Sequence, residues 1–217
     1  RFRLSDMLCT TKGQVNVSMP GALSIMQENV NQLDEWASKR EAFLSEGKKT
    51  VQAKMLDLLG LKGLPDHKIR IEATGHDSMR EYEQYKFQLI REGEMPVPCI
   101  LIMPSRANAD SPVELRLQEE GKGTYLSEYA NLAAALTEGK ILLLADLRGL
   151  GETTDPAFYT DAKYWNREYR NAMVSMHIGR PIMGQRVVDI LTLLDFCSEH
   201  EFLKEHPVKV FANGIYG

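Results

Sequence analysis

A turn with two glycines, at residues 118–124, is the first stretch whose residues could take part in catalysis. It lies between a predicted strand and a predicted helix. Backbone N–H groups at such a turn can stabilise the negative charge that develops on a carbonyl oxygen during acyl transfer. Gly121, Lys122 and Gly123 are therefore candidate oxyanion-binding residues. A turn with two glycines is equally consistent with chain geometry alone.

A second candidate region is the loop 146–153, with the sequence D-L-R-G-L-G-E-T. It follows a continuous apolar run, which is typical of a strand buried on both faces of a parallel sheet. Because open α/β sheets bind ligands beyond the carboxyl ends of their strands, we expect Arg148 to face a substrate pocket. The structural alternative is that Asp146 and Arg148 pair and hold the loop. Thr154 replaces the third glycine of a dinucleotide fingerprint, so the loop does not predict a nucleotide site.

An aromatic-rich segment, residues 153–181, follows this loop and contains Tyr164 and Trp165. Such a segment at the carboxyl edge of a sheet could line a pocket for a carbohydrate or an aryl ester. It could equally cover the core. His177, in the same segment, is the histidine that we expect to face a substrate, and Ser175 and Thr124 are conceivable nucleophiles that no spacing favours.

The spacing of the histidines and cysteines does not predict a metal site or a bound cofactor. No pair of histidines has the spacing of zinc ligands, and there is no C-x-x-C motif. Three cysteines are an odd number, so a disulfide framework is not expected. The residues concerned are His67, His76, His177, His200, His206, Cys9, Cys99 and Cys197.

Charge and hydropathy exclude two classes of partner. The formal net charge is −4 and the sequence pI is about 5.8, which argues against a surface for nucleic acid or for an anionic membrane. The longest apolar runs are of strand length and far shorter than the ~20 residues that a membrane-spanning helix needs. We therefore expect neither nucleic acid binding nor a membrane span.

The periodicity of apolar residues predicts the elements that position these candidates. Helical spacing begins at residue 31, with Trp36 as a packing anchor, and a second helix begins at about residue 50. Further on, the patterns predict strands at 68–73, 83–91, 98–103, 113–117, 141–145 and 208–212, and helices at 126–136 and 182–197. The order predicts an α/β fold with a mixed sheet flanked by helices. We expect an N-terminal arm and helical extension at 1–65, followed by the α/β domain at 66–217.

Four stretches in this order carry a resemblance to a known family. They are Trp36 with Lys39-Arg40, the loop 146–152, the helix start 179–191 and the strand and turn at 208–217. Together they resemble the acetyl xylan esterase-like branch of the α/β-hydrolase superfamily, which is related to the prolyl-oligopeptidase-like carbohydrate esterases. The resemblance covers most of the chain from Trp36 onward. It implies an α/β-hydrolase fold whose first part is present, with the chain stopping at the turn that carries the nucleophile.

This turn, A-N-G-I-Y-G at 212–217, departs from the family pattern. In the family, a serine on a strained turn after a buried strand attacks the ester, and the chain order is nucleophile, acid, then histidine. Gly214 stands at the position of the serine, and all five histidines precede it. The resemblance therefore implies the esterase scaffold, with a catalytic triad that these residues do not complete.

Two functions from different classes remain open. The first is an esterase-like hydrolase related to the deacetylation of plant polysaccharide, as in acetyl xylan; a peptidase-type hydrolase is a weaker variant. The second is a non-catalytic relative that acts as a carbohydrate-binding or assembly module. The expected partners are a carbohydrate or small-molecule ester, and the remaining half of the domain or a partner chain over the open sheet edge. An extracytoplasmic location is expected, because polymeric xylan lies outside the cell.

Overall fold

The computed structural model describes residues 2–156 and 167–214. Within these residues the α-helices are α1 (Val15–Ser18), α2 (Ile25–Leu44), α3 (Lys48–Leu58), α4 (Lys122–Ser127), α5 (Tyr129–Glu138), α6 (Arg167–His177) and α7 (Ile182–Glu199). The strands are β1 (Arg70–Ser78), β2 (Tyr82–Ile90), β3 (Val97–Pro104), β4 (Val113–Leu117), β5 (Ile141–Ala145) and β6 (Val208–Ala212). Residues 1–55 and 56–217 form two compact units. The predicted division into 1–65 and 66–217 stays a prediction.

The six strands form one mixed sheet in the order β1-β2-β3-β5-β4-β6. The first three strands are antiparallel neighbours, and β5 runs antiparallel to β3. Strand β4 lies between β5 and β6 and is parallel to both. The connection from β4 to β5 therefore leaves to one side of β4, and the connection from β5 to β6 crosses to the other side. This mixed sheet confirms the predicted fold class.

Helices cover both faces of the sheet and form a three-layer core. On one face, α7 contributes Leu193, Phe196 and Cys197 to a cluster with buried residues of β2 to β5. On the other face, α4 and α5 pack against alternate residues of β3 and β5, among them Leu142 and Leu144. All five residues of β5 are buried, because helices lie above and below that strand. Two-sided burial explains why its sequence is continuously apolar.

The N-terminal compact unit differs from the predicted pattern. Helix α2 begins at Ile25, earlier than predicted, where the Ser24 hydroxyl caps it by accepting a hydrogen bond from the Gln27 N–H at 3.2 Å. None of its residues is buried. Trp36 is 52% exposed, so its interpretation as a packing anchor is wrong.

The helix predicted at 126–136 is two helices, α4 and α5, which meet at Glu128. The backbone of Glu128 has φ −90° and ψ 86°, outside the helical region. Helix α4 begins directly after the turn at 118–121. The break allows α4 to stand over the carboxyl end of β4 while α5 packs along the sheet.

Strand β6 pairs with β4 on one edge, in a register that places Leu117 opposite Ala212. The described residues include no strand on its other edge. All five residues of β6 are exposed, and the values for Val208, Val210 and Phe211 are 37%, 49% and 38%. Among these residues, β6 is therefore the least covered strand of the parallel part of the sheet.

Candidate functional site

A cavity of about 580 Å³ opens beyond the carboxyl ends of β4 and β6. Ligands of open α/β folds bind at this edge of the sheet. Two turns frame the cavity, one between β4 and α4 and one that follows β6. Its lining is mostly polar and consists of Arg116, Gln118, Glu119, Glu120, Thr124, Tyr125, Glu128, Asn131, Asn213 and Gly214.

Asn213 holds the turn after β6 against the turn after β4. Its main-chain N–H donates to the carbonyl oxygen of Leu117 at 3.1 Å, which extends the β4–β6 ladder by one bond. Its side-chain Nδ2 donates to Gln118 Oε1 at 3.5 Å, and its Oδ1 accepts from the Gly214 N–H at 2.9 Å. The two turns are thus connected through one side chain, and Gly214 is placed at the cavity wall.

Gly214 has a backbone that a residue with a side chain adopts only at a cost. Its φ is +71°, in the left-handed region. A Cβ atom at this position would lie 2.0 Å from Oε2 of Glu119, and 3.0 and 3.1 Å from Glu119 Cβ and Cδ. The side chain of Glu119 therefore occupies the space that a side chain at position 214 would need.

A buried ion-pair network connects the β4–α4 turn to the loop after β5. The Lys122 N–H and Nζ donate to the two carboxylate oxygens of Asp146, each at 2.6 Å, and Nζ also donates to Glu152 Oε1 at 2.5 Å. Burial alone would lower the pKa of Lys122, but the hydrogen bonds and charges of Asp146 and Glu152 outweigh it, and the pKa is raised. Lys122 is therefore a charged anchor of the turn.

The loop after β5 closes around the same carboxylate. The Glu152 N–H donates to Asp146 Oδ2 at 3.0 Å. A Cβ atom at Gly151 would lie 2.3 Å from Asp146 Cγ, so only glycine permits this approach. The expected pairing of Asp146 with Arg148 is wrong, since the partner of Asp146 is Lys122.

The three predicted oxyanion residues stand between the lining residues Glu120 and Thr124 in the chain but do not themselves line the cavity, and they differ in what their N–H groups bind. The Gly121 N–H donates to the carbonyl oxygen of Gln118 at 3.0 Å, and the Lys122 N–H is bound to Asp146. The N–H of Gly123, at the second position of α4, has no acceptor among residues 2–156 and 167–214. Gly123 is thus the one of the three whose N–H is open to a ligand within the described chain.

Arg148 is buried in a second network on the α7 side of the sheet. Its Nε and Nη2 donate to Asp189 at 2.6–3.1 Å, and its Nη1 donates to Glu94 at 2.9 Å and Gln185 at 3.0 Å. Burial alone would lower its pKa, but Asp189 and Glu94 outweigh burial and raise it. It lines a separate cavity of about 290 Å³, away from Gly214. We conclude that Arg148 mainly ties the loop to α7.

The remaining predicted pocket residue that the structure describes, His177, is not brought to the cavity. Tyr164 and Trp165 lie outside the described residues. His177 is exposed at the end of α6 and does not line the cavity at β4 and β6. Ser175 donates to the carbonyl oxygen of Ala172 at 2.8 Å and accepts from the Ile182 N–H at 3.0 Å, so its hydroxyl connects α6 to α7.

Sequence reasoning missed Arg116, which forms one wall of the cavity. Its guanidinium carbon lies 3.9 Å from the centre of the Phe211 ring and 5.6 Å from that of Tyr125, within cation–π distance. Its Nε donates to Glu114 at 3.1 Å. Burial alone would raise the pKa of Glu114, but Arg116 and Lys140 outweigh burial and lower it. In the sequence, β4 shows only alternating apolar residues with Glu114 and Arg116 between them. This spacing was the one indication that these two residues form an ion pair.

Within the described residues, no group of three or more histidines, cysteines or acidic residues is arranged to hold a metal ion. A search of the same residues found no helix with the length and hydropathy needed to cross a bilayer.

Comparison with solved structures identifies the fold. A protein classed as an acetyl xylan esterase from Bacteroides fragilis superposes with a TM-score of 0.62 at 14% identity, over 77% of this chain and 46% of that one. Acetyl xylan esterases from Paenibacillus sp. R4 (19% identity, 74% and 49% covered) and Thermoanaerobacterium sp. JW/SL YS485 (14%, 75% and 55%) each give a TM-score of 0.48. A scan against protein-family models and a search of curated proteins found no match.

The first of these structures supports an acetyl xylan esterase-like α/β-hydrolase fold. At 14% identity the likeness concerns the fold and not the chemistry. The chain spans about half the length of that structure, 46%. The fold that the sequence motifs predicted is confirmed.

Proposed function

We propose that this chain is part of an esterase-like hydrolase that removes acetyl groups from plant polysaccharide, and that the cavity at β4 and β6 receives the ester. The observation that carries the proposal is the position of this cavity. It opens at the carboxyl ends of two adjacent parallel strands, against the turn where an α/β-hydrolase carries its nucleophile. The proposed substrate class follows from the fold resemblance and from the polar lining.

The cavity wall suits a ligand with several hydroxyl groups. Gln118, Asn131 and Asn213 each offer an amide that can both donate and accept a hydrogen bond. Tyr125 adds an aromatic ring beside the guanidinium of Arg116. Such side chains can bind a neutral sugar, whose hydroxyls also both donate and accept.

The nucleophile in this proposal is a water molecule. Gly214 has no side chain, and Glu119 fills the space where one would stand. The Gly123 N–H is the proposed donor to the oxyanion, because the N–H groups of Gly121 and Lys122 are already bound. In the proposed mechanism water therefore attacks the ester directly, and no acyl-serine intermediate forms.

A carbohydrate-binding module without catalysis is the second candidate function. The observation in its favour is the glycine itself, because removing a member of the usual triad costs several orders of magnitude in rate. The polar cavity would then hold a sugar without attacking its ester. Both candidates use the same cavity, and hydrolysis separates them.

The test is the release of acetate from acetylated xylo-oligosaccharides, together with hydrolysis of an activated acetate ester. We expect hydrolysis faster than in buffer, and no inhibition by a serine-directed fluorophosphonate. Rates equal to buffer, with the oligosaccharide still bound in a calorimetric titration, would leave the binding module as the function. Inhibition by the fluorophosphonate would show that a serine elsewhere is the nucleophile.

We further propose that additional strands, from the same polypeptide or from a partner chain, cover β6. Its apolar residues Val208, Val210 and Phe211 are exposed, and folded proteins normally protect such a strand. Hydrogen exchange measures this directly. Slow exchange of the outward-facing β6 amides is expected, and fast exchange in a well-folded monomer would contradict the proposal.

A further inference from the structure

We infer that Glu119 is the general base that activates the attacking water in this cavity. The inference rests on the proposed hydrolase function and adds the identity of the residue that replaces the missing nucleophile. Glu119 Oε2 lies 2.0 Å from where a Cβ atom of residue 214 would be. The carboxylate thus stands at the point from which a serine would attack.

The backbone around Glu119 is anchored on both sides. It belongs to the turn after β4, whose next residues are anchored by Lys122 to the buried Asp146. The opposing turn is held by the hydrogen bonds of Asn213 to Leu117 and Gln118. Two anchored turns therefore define the gap in which the Glu119 carboxylate lies.

The other ionisable residues of the cavity are placed differently. Glu120 and Glu128 also line the cavity, but neither is among the atoms nearest to the vacant side-chain position at Gly214. Arg116 is committed to Glu114 and to the aromatic rings. No histidine occurs among the lining residues that the structure describes. Glu119 is the carboxylate that the geometry assigns to the base.

The proposed hydrolysis consumes one water molecule for each ester bond that is broken, and no electrons are gained or lost overall. Glu119 accepts a proton from water while the water oxygen bonds to the ester carbonyl carbon and the carbonyl electron pair moves to its oxygen. The tetrahedral intermediate then collapses, the bond to the sugar oxygen breaks, and the protonated Glu119 returns its proton to that oxygen. Acetic acid and a free sugar hydroxyl leave. General base catalysis of this kind contributes about 10²–10⁴-fold in rate.

The experiment compares acetate ester hydrolysis by the wild type, Glu119→Gln, Glu119→Ala and the control Glu205→Gln. Glu205 is exposed, precedes β6 in the chain and does not line the cavity. We expect Glu119→Gln to lose kcat by about 10²–10⁴-fold with little change in KM, and to lose the acidic limb of the pH–rate profile. Added formate, a small carboxylate, should restore part of the activity of Glu119→Ala. The control should equal the wild type.

Formate rescue keeps the test valid if a variant folds poorly, because a structural defect is not repaired by a small anion. An active wild type with Glu119→Gln within about threefold of it would overturn the role of Glu119 and leave the proposed hydrolase intact. A loss of activity without rescue by formate, in a Glu119→Ala protein whose circular dichroism equals that of the wild type, would also overturn the role as base. A wild type no faster than buffer would overturn both the role and the hydrolase function.

Discussion

Lys122 binds Asp146 twice, through its main-chain N–H and through its side-chain Nζ, each at 2.6 Å. The two residues are 24 positions apart and connect the turn after β4 to the loop after β5. Both side chains are buried, with 7% and 2% exposed. This pair anchors the turn after β4, whose residues Gln118, Glu119 and Glu120 line the cavity of the proposed chemistry.

The first prediction concerns the contribution of this ion pair to stability. Asp146→Asn removes one charge of a buried pair and leaves the Lys122 ammonium with the more exposed Glu152 as its remaining carboxylate among the described residues. We expect the free energy of unfolding in urea to fall by about 3–5 kcal/mol. The control Asp110→Asn, on an exposed loop, should change it by less than about 0.5 kcal/mol. A similar small change for Asp146→Asn would show that the pair does not stabilise the fold.

A second prediction concerns Gly214. A methyl group in Gly214→Ala would clash with Glu119 and would impose a left-handed backbone on a residue that disfavours it. We expect a loss of about 1–2 kcal/mol in stability and a larger proportional loss of hydrolysis, because the Glu119 carboxylate must move. Gly63→Ala, with open space around its Cβ position and no positive φ, is the matched control. Unchanged hydrolysis in Gly214→Ala would place the reaction elsewhere.

A third prediction follows from His200, whose ring lies among Phe87, Phe196 and Phe202 at centroid distances of 4.7–5.5 Å. Burial lowers its pKa below the ordinary value of 6.5. The unfolded chain therefore binds the proton more readily, so this contribution to stability is complete above pH ~6.5 and is lost as the pH falls towards the folded-state pKa.

Relative to His200→Leu, the wild type should thus lose stability between pH 7.5 and pH 5. Urea unfolding of both proteins at these two pH values measures the difference, and other histidines cancel from the comparison. A difference between wild type and His200→Leu that is independent of pH would contradict the burial argument.

A fourth prediction concerns the three thiols, which are all free. Burial raises the pKa of Cys197 to about 12 and raises that of Cys99 as well, whereas Cys9 is exposed. Since the thiolate is the reactive form, a disulfide reagent should modify one thiol in the native protein and all three in denaturant. Cys9→Ser should abolish the native reaction. Rapid reaction of two or three thiols under native conditions would show that the core opens.

Sequence patterns predicted the parallel part of the sheet with the bounds that the structure has. Strands β4, β5 and β6 occupy 113–117, 141–145 and 208–212 as expected, because alternation and continuous apolar runs report directly on burial. The break at Glu128 was not predictable, since neither glycine nor proline marks it. The start of α2 was predicted at residue 31, whereas the helix begins at Ile25. Its N-cap, Ser24, was therefore not identified from the sequence.

The contacts of the site depended on tertiary structure and could not be read from the chain. Asp146 lies two residues from Arg148 and 24 from Lys122, and only the packing of the two loops decides which cation it meets. Glu119 and Gly214 are 95 positions apart, so nothing in the sequence placed the carboxylate over the glycine. The sequence motif located the turn at Gly214. The cavity, and the Glu119 carboxylate beside that turn, became visible only in the folded structure.

A pre-steady-state assay with p-nitrophenyl acetate, followed by intact-mass analysis, shows most directly whether water in the cavity at Gly214 hydrolyses the ester. If water attacks the ester directly, nitrophenol release will be linear from the first turnover and faster than in buffer, and no acetylated protein will accumulate. A burst equal to the protein concentration, with an acetyl adduct on the chain, would contradict it by showing a covalent nucleophile.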